Sequence, residues 1–186
     1  FTGSFQSTSL YNYFTGNESS TLGSLNVKKT QFDIWQREQN YFGKRVFVEK
    51  PNTPRSQKII DENNINFNGF YVEHFQTPNR LKIEFELPSE QLKNNQVIPI
   101  TIYNPTKNVV NFNHPEIPET ITAVFLAHRE TTDIPTEIEK MPTVLKPGES
   151  FKTQIKINTQ NLKAGHYNFG ITTNCILGNA YNSKFV

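Results

Sequence analysis

Residues 144–157 run Val144-Leu145-Lys146-Pro147-Gly148-Glu149-Ser150-Phe151-Lys152-Thr153-Gln154-Ile155-Lys156-Ile157. A second run follows as Leu162-Lys163-Ala164-Gly165-His166-Tyr167-Asn168-Phe169-Gly170-Ile171. Pro147-Gly148 is a turn signal. Phe151, Ile155 and Ile157 take odd positions with polar residues between them, so they line one face of a strand. Tyr167, Phe169 and Ile171 repeat that parity after the break at Ala164-Gly165. The stretch therefore reads as turn, strand, glycine corner, strand.

Period-two patterning continues upstream. Leu81, Ile83, Phe85 and Leu87 alternate with Lys82, Glu84 and Glu86, a strand with one solvated face, and Pro88 ends it. Ile98, Ile100 and Ile102 alternate and run into the turn Tyr103-Asn104-Pro105-Thr106, followed by Val109, Val110 and Phe112. Ile121, Ala123, Phe125 and Ala127 form another such run. Residues 131–143 read as a polar loop, and Tyr181 to Val186 can close the sheet. Strand signals at this spacing indicate an all-β fold, a two-sheet antiparallel sandwich.

Three features place residues 81–186 near a known architecture: the Asn104-Pro105-Thr106 turn, the Leu145-Lys146-Pro147-Gly148-Glu149-Ser150 step, and the Gly165-His166-Tyr167 corner. With them this part of the chain resembles the immunoglobulin-like modules of bacterial surface and envelope proteins. It is also similar to the bacterial intracellular proteinase-inhibitor sandwich, which uses a comparable Pro-Gly-Glu-Ser step and Gly-x-Tyr corner. The resemblance implies a fold and no particular chemistry. It also implies a tyrosine corner, with the Tyr167 ring largely buried and its hydroxyl bonded to backbone near residues 162–164.

The N-terminal part is different in character. Fourteen of the 23 aromatic residues lie in the first 75 positions. Residues 1–24 are rich in Ser, Thr, Gly and Asn around Tyr11, Tyr13 and Phe14, and read as an extended arm. Residues 25–79 read as an aromatic-rich β region, and 80–186 as the immunoglobulin-like sandwich. Within residues 31–48, a helix through Phe32, Trp35 and Phe42 competes with a hairpin pairing Phe32 and Ile34 with Val46 and Val48. Aromatic and β-branched enrichment favours the hairpin.

Bulk composition excludes several classes. The 186 residues carry a formal charge of +2, with Lys28-Lys29 and Lys44-Arg45 the only adjacent basic pairs, so no basic stripe for nucleic acid is evident. No apolar run reaches the ~20 residues of a membrane-spanning helix. The single cysteine, Cys175, rules out an internal disulfide. The chain opens on Phe1, the expectation for a chain that has lost a signal peptide; a lipoprotein lacking its acylated cysteine reads the same way.

Catalytic patterns are absent: no zinc-protease helix motif, no nucleophile elbow and no phosphate loop. His128 and Glu130 share a strand face, but a metal needs three or four convergent ligands, so no metal and no cofactor are expected. Glu84 and Glu86 read as solvated charges on the polar face of a strand, and Cys175 as an inert thiol. The expected partner-binding residues are Tyr11, Tyr13, Phe14 and Trp35, because aromatics on a polar segment serve as protein hot spots or sugar platforms. The sequence thus points to a non-enzymatic accessory, adhesion or scaffolding subunit of a bacterial cell-envelope or secreted assembly. Its partner would be a protein or a glycan, and its location extracytoplasmic. A carbohydrate-binding module is the first alternative. A small hydrolase or proteinase-inhibitor-like protein is the second.

Ile100→Asp places a charge in the expected core and should abolish folding, read as loss of the cooperative transition in a thermal melt. A retained transition would show that the odd–even assignment of that strand is wrong.

Overall fold

A computed structural model describes residues 5–21, 37–50, 53–60, 64–77, 80–89, 91–127, 130–180 and 182–186. The chain divides into two compact units, Phe1–Thr77 and Pro78–Val186. Among the described residues no helix is long and apolar enough to cross a membrane.

The first unit contains a helix, α1 (Phe5–Thr15), a 3-10 turn (Arg37–Tyr41), and three strands: β1 (Val46–Glu49), β2 (Gln57–Ile60) and β3 (Asn66–Val72). The strands form an antiparallel sheet in the order β1-β3-β2. Val46, Val48, Phe70 and Val72 are buried on one face. Phe47, Glu49, Ile59, Phe67 and Tyr71 occupy the other by the parity of the pairing. Gly69 lies between these rings. A β-carbon there would collide with the Val48 carbonyl oxygen and stand 2.8 Å from Cζ of Phe47, so only glycine lets the Phe47 ring lie across the sheet.

Within the N-terminal segment, whose composition had suggested an extended arm, residues 5–15 form α1. Residues 5–15 are helical because local polar side chains hold the helix and its exit. Thr15 Oγ1 donates to the Tyr11 carbonyl (2.8 Å) and accepts from Asn17 N (3.0 Å). Gly16 takes φ +70°, and its N–H donates to Asn12 O (3.1 Å), closing the helix. Asn12 Oδ1 accepts from both N (2.6 Å) and Oγ (2.7 Å) of Ser19, folding residues 17–20 back along the helix. In the 31–48 stretch, residues 31–36 lie outside the described residues. β1 takes its place in the sheet by pairing with β3.

The second unit holds β4 (Lys82–Phe85), β5 (Gln96–Tyr103), β6 (Val110–Asn111), β7 (Thr120–Ala127), β8 (Glu130–Ile138), β9 (Val144–Leu145), β10 (Ser150–Ile157), β11 (Asn168–Cys175) and β12 (Gly178–Ala180). Seven of them form one antiparallel sheet in the order β12-β11-β7-β8-β10-β5-β4, and β6 pairs with β9. The fold is therefore all-β. Ile83, Ile98, Ile100, Ile102, Ile155, Ile157, Phe169 and Ile171 share one core, joined by Ile121, Ala123 and Phe125; Phe85 and Phe151 pack on its margin.

One strand departs from the sequence reading. Residues 130–138 form β8 where a loop was expected. Most of its side chains face solvent, and only Ile134 and Ile138 reach the core, so its apolar signal is sparse. β8 pairs with β7 through residues 130–135 and with β10 through residues 136–138. Pro135 has no N–H to give the ladder. At that point Thr136 Oγ1 donates to the Ile121 carbonyl (2.8 Å).

The sheet is barrel-like because its far sides come together. Phe85 of β4 meets Phe169 of β11 at 5.2 Å between ring centroids. The C-terminal tail occupies the seam. Asn182, 8% exposed, donates from Nδ2 to Leu81 O (3.0 Å), and its Oδ1 accepts from Thr173 N and Thr173 Oγ1 (2.7 Å each). Its backbone oxygen accepts from Ile83 N (3.0 Å), and Val186 exchanges two backbone bonds with Phe169. At the predicted corner, Tyr167 OH donates to Lys163 O (2.9 Å), but the ring is half-buried rather than largely buried, lying edge-on to Phe125 at 5.8 Å.

Asn182→Ala strands the Leu81 carbonyl and both Thr173 donors inside the seam. A loss of about 2–4 kcal/mol is expected in urea denaturation, since each buried group left unpaired costs about 1–3 kcal/mol. An unchanged midpoint would mean that the seam is closed by apolar contacts alone.

Candidate functional site

A cavity of the first unit lies over the aromatic face of its sheet, with a volume of about 330 Å³. Its rings come from three places. Tyr11 reaches in from α1, Tyr41 from the 3-10 turn, and Phe47, Phe67 and Tyr71 from β1 and β3. Neighbouring rings stand steeply to one another. Tyr11 meets Phe67 at 5.5 Å and 76°, Phe67 meets Phe47 at 6.2 Å and 65°, and Phe47 meets Tyr71 at 5.3 Å and 64°. The rings form inclined walls, not a flat platform.

Charged groups complete the rim. Glu18 accepts a hydrogen bond from the Tyr41 hydroxyl. Burial, then that bond and the Glu18 charge, push the Tyr41 phenol up to about 12, so it remains a donor across the physiological range. Glu49 follows Phe47 by two residues on β1 and lines the same cavity. Arg45 is committed within the protein. Its Nε lies 3.0 Å from Glu73 Oε1, and its guanidinium stands 4.2 Å over the Tyr71 ring.

The expected partner-binding residues separate here. Tyr11 is half-buried against Phe67. Tyr13 and Phe14 stay 82% and 74% exposed, edge-to-face at 5.1 Å, and Leu10 is 57% exposed beside them. Positions 10, 13 and 14 form one stripe at helical spacing, on the side of α1 away from Tyr11 and the buried Thr8. Trp35 lies outside the described residues. Tyr41, Phe47, Phe67 and Tyr71 were not singled out from the sequence. For Phe47, Phe67 and Tyr71 the signal was parity on paired strands, readable only once the register joins β1 to β3; Tyr41, on the 3-10 turn, carried no such signal.

The second unit holds one unusual ionisable group. Glu119 is 5% exposed, and neither carboxyl oxygen has a hydrogen-bond partner. The Cys175 thiol lies alongside, with its Sγ also 3.8 Å from Gly178 O. Burial pushes the Glu119 carboxyl from its ordinary 4.5 to about 8, and the thiol offsets only a small part of that rise. Sequence reasoning saw an isolated cysteine. The pairing of Thr120 with Asn174 brings the carboxyl to it from 56 residues away.

The other candidates are structural. His114 is buried, and its Nδ1 accepts from Glu116 N and Ile117 N (3.2 Å each), bracing a loop. Glu84 and Glu86 are exposed. His128 lies outside the described residues, and among those described no cluster of three or more ligating side chains is present. The chain matches no family model, no curated protein and no solved structure.

Glu119 sets a pH dependence. The folded state holds a proton at this carboxyl up to about pH 8, whereas the unfolded chain releases it near 4.5. Between those values the unfolded state gains from ionisation and the folded state does not. This group's contribution to stability is therefore fully present below about pH 4.5 and declines toward pH 8. Glu119→Gln should remove the decline, raising the urea midpoint at pH 8 relative to wild type. Parallel pH profiles for the two proteins would contradict that assignment.

Proposed function

We propose that the chain is a non-enzymatic accessory or adhesion subunit of a bacterial cell-envelope or secreted assembly, acting by protein–protein binding. One observation carries the reading: the Leu10, Tyr13 and Phe14 stripe on α1. Three large apolar side chains stand exposed together, framed by the Ser, Thr and Asn residues of the same helix. Aromatic side chains with few rotatable bonds bury much area at low entropic cost, the pattern of an interface anchor ringed by polar residues.

The extracytoplasmic setting rests on the immunoglobulin-like reading of residues 80–186. Its supports are the antiparallel pairing, the Tyr167 hydroxyl bond to Lys163 O, and the buried Asn104 turn. Asn104 Nδ2 donates to Asn108 O and Leu145 O, tying that turn to the Pro147-Gly148 step. The continuous passage of the sheet through β8 sets this unit apart from a plain two-sheet sandwich.

Tyr13→Ser combined with Phe14→Ser tests the proposal. Both side chains are exposed, so the melting temperature should stay unchanged. Cross-linking in cells that produce the protein should yield one dominant protein adduct with the wild type, at least about tenfold reduced in the double variant. Equal adduct yield from the two proteins would remove the α1 stripe as the docking surface.

A further inference from the structure

We infer that the aromatic cavity of the first unit is a binding site for a small organic cation, a quaternary or alkylated ammonium group. This goes beyond the docking role of α1, since it concerns the face of the helix turned toward the sheet.

The argument starts from ring orientation. A sugar stacks on flat, exposed rings, because its C–H faces need a plane. The ring pairs around this cavity are inclined at 64–76°, with centroids 5.3–6.2 Å apart. Walls set at such angles can turn several negative π-faces toward one point, the arrangement that holds an alkylated ammonium. A quaternary ammonium is poorly hydrated and its nitrogen carries no N–H donor that a wall of rings would leave unsatisfied.

Charge points the same way. Among the described residues the cavity is lined by Glu18 and Glu49 and by one basic side chain, Arg45, with Lys44 beside the ring of Tyr41. Arg45 is paired through Nε with Glu73 at 3.0 Å and seated on Tyr71, which offsets part of its repulsion toward a bound cation. Arg45 on Tyr71, with Lys44 Nζ 5.7 Å from the Tyr41 centroid, shows these rings already engaging cations from within the chain. The volume of about 330 Å³ is at the small end for ligand pockets and matches a headgroup-sized molecule better than an oligosaccharide.

Isothermal titration of the full chain with choline provides the test. 3,3-Dimethylbutan-1-ol, its neutral isostere, isolates the charge, and glucose tests the sugar alternative. Saturable choline binding with a Kd below about 1 mM is expected, and the isostere should bind at least about tenfold more weakly. Tyr11→Leu keeps an apolar contact with Phe67 but removes a π-face, and should weaken choline about five- to tenfold. Glu49→Gln, on a strand that pairs through its backbone, should weaken it about threefold or more without changing the melting temperature. Equal affinity for choline and its isostere, preferential binding of glucose, or no saturation by choline would each overturn the inference. Unaltered choline affinity in both variants would place any binding elsewhere.

Discussion

A buried amide holds the second unit shut. The sheet from β12 to β4 has two sides that would each expose unpaired backbone groups, and exposed edges recruit other strands. Asn182 stands between them. Its amide nitrogen bonds the carbonyl of Leu81 just before β4, and its amide oxygen takes two donors from Thr173 on β11. An apolar side chain of similar size would fill the space but leave three polar atoms without partners. The tail continues this closure with the two backbone bonds between Val186 and Phe169, while Ser183 Oγ accepts from Ile171 N at 2.7 Å. The isoleucine-rich core supplies most of the driving force for collapse. The seam determines which strands end up beside one another.

In the first unit the corresponding constraint is steric. Gly69 is the one position on the middle strand where the Phe47 ring can cross, and that crossing brings Phe47 to Phe67 on one side and to Tyr71 on the other. The helix then adds Tyr11 from above. α1 consequently presents two distinct faces. Its inner face completes the cavity, and its outer face presents Leu10, Tyr13 and Phe14. A helix rich in Ser, Thr and Asn has little intrinsic reason to persist in water. Here the Asn12–Ser19 bonds and the Tyr11–Phe67 contact stabilise it, so its two faces are structurally linked.

Burial pushes the Glu119 carboxyl up to about 8, so it holds its proton well above the ordinary carboxylate range. Its neighbour is the Cys175 thiol, and among the described residues no cluster of three or more metal-ligating side chains forms around the pair.

Sequence alone determined the strands whose apolar residues alternate strictly, from Ile83 through Ile171, because a period of two fixes which side chains must leave water whatever the neighbours are. It also determined the Asn104 and Pro147-Gly148 turns and the hydroxyl bond of the Tyr167 corner, all of which are local. Tertiary structure decided everything that depends on partners distant in the chain. β8 was invisible because a strand whose outward residues are Thr, Asp and Glu has almost no apolar period, and its place is set by β7 and β10 on either side. α1 was invisible because its stabilising bonds run from side chains to backbone. The cavity was invisible because Tyr11, Tyr41, Phe47, Phe67 and Tyr71 are scattered over 61 positions and meet only through strand register and the packing of α1 and the 3-10 turn. The approach of Glu119 to Cys175 has the same origin. Pairing register joins residues that sequence separates, and no local pattern encodes that distance.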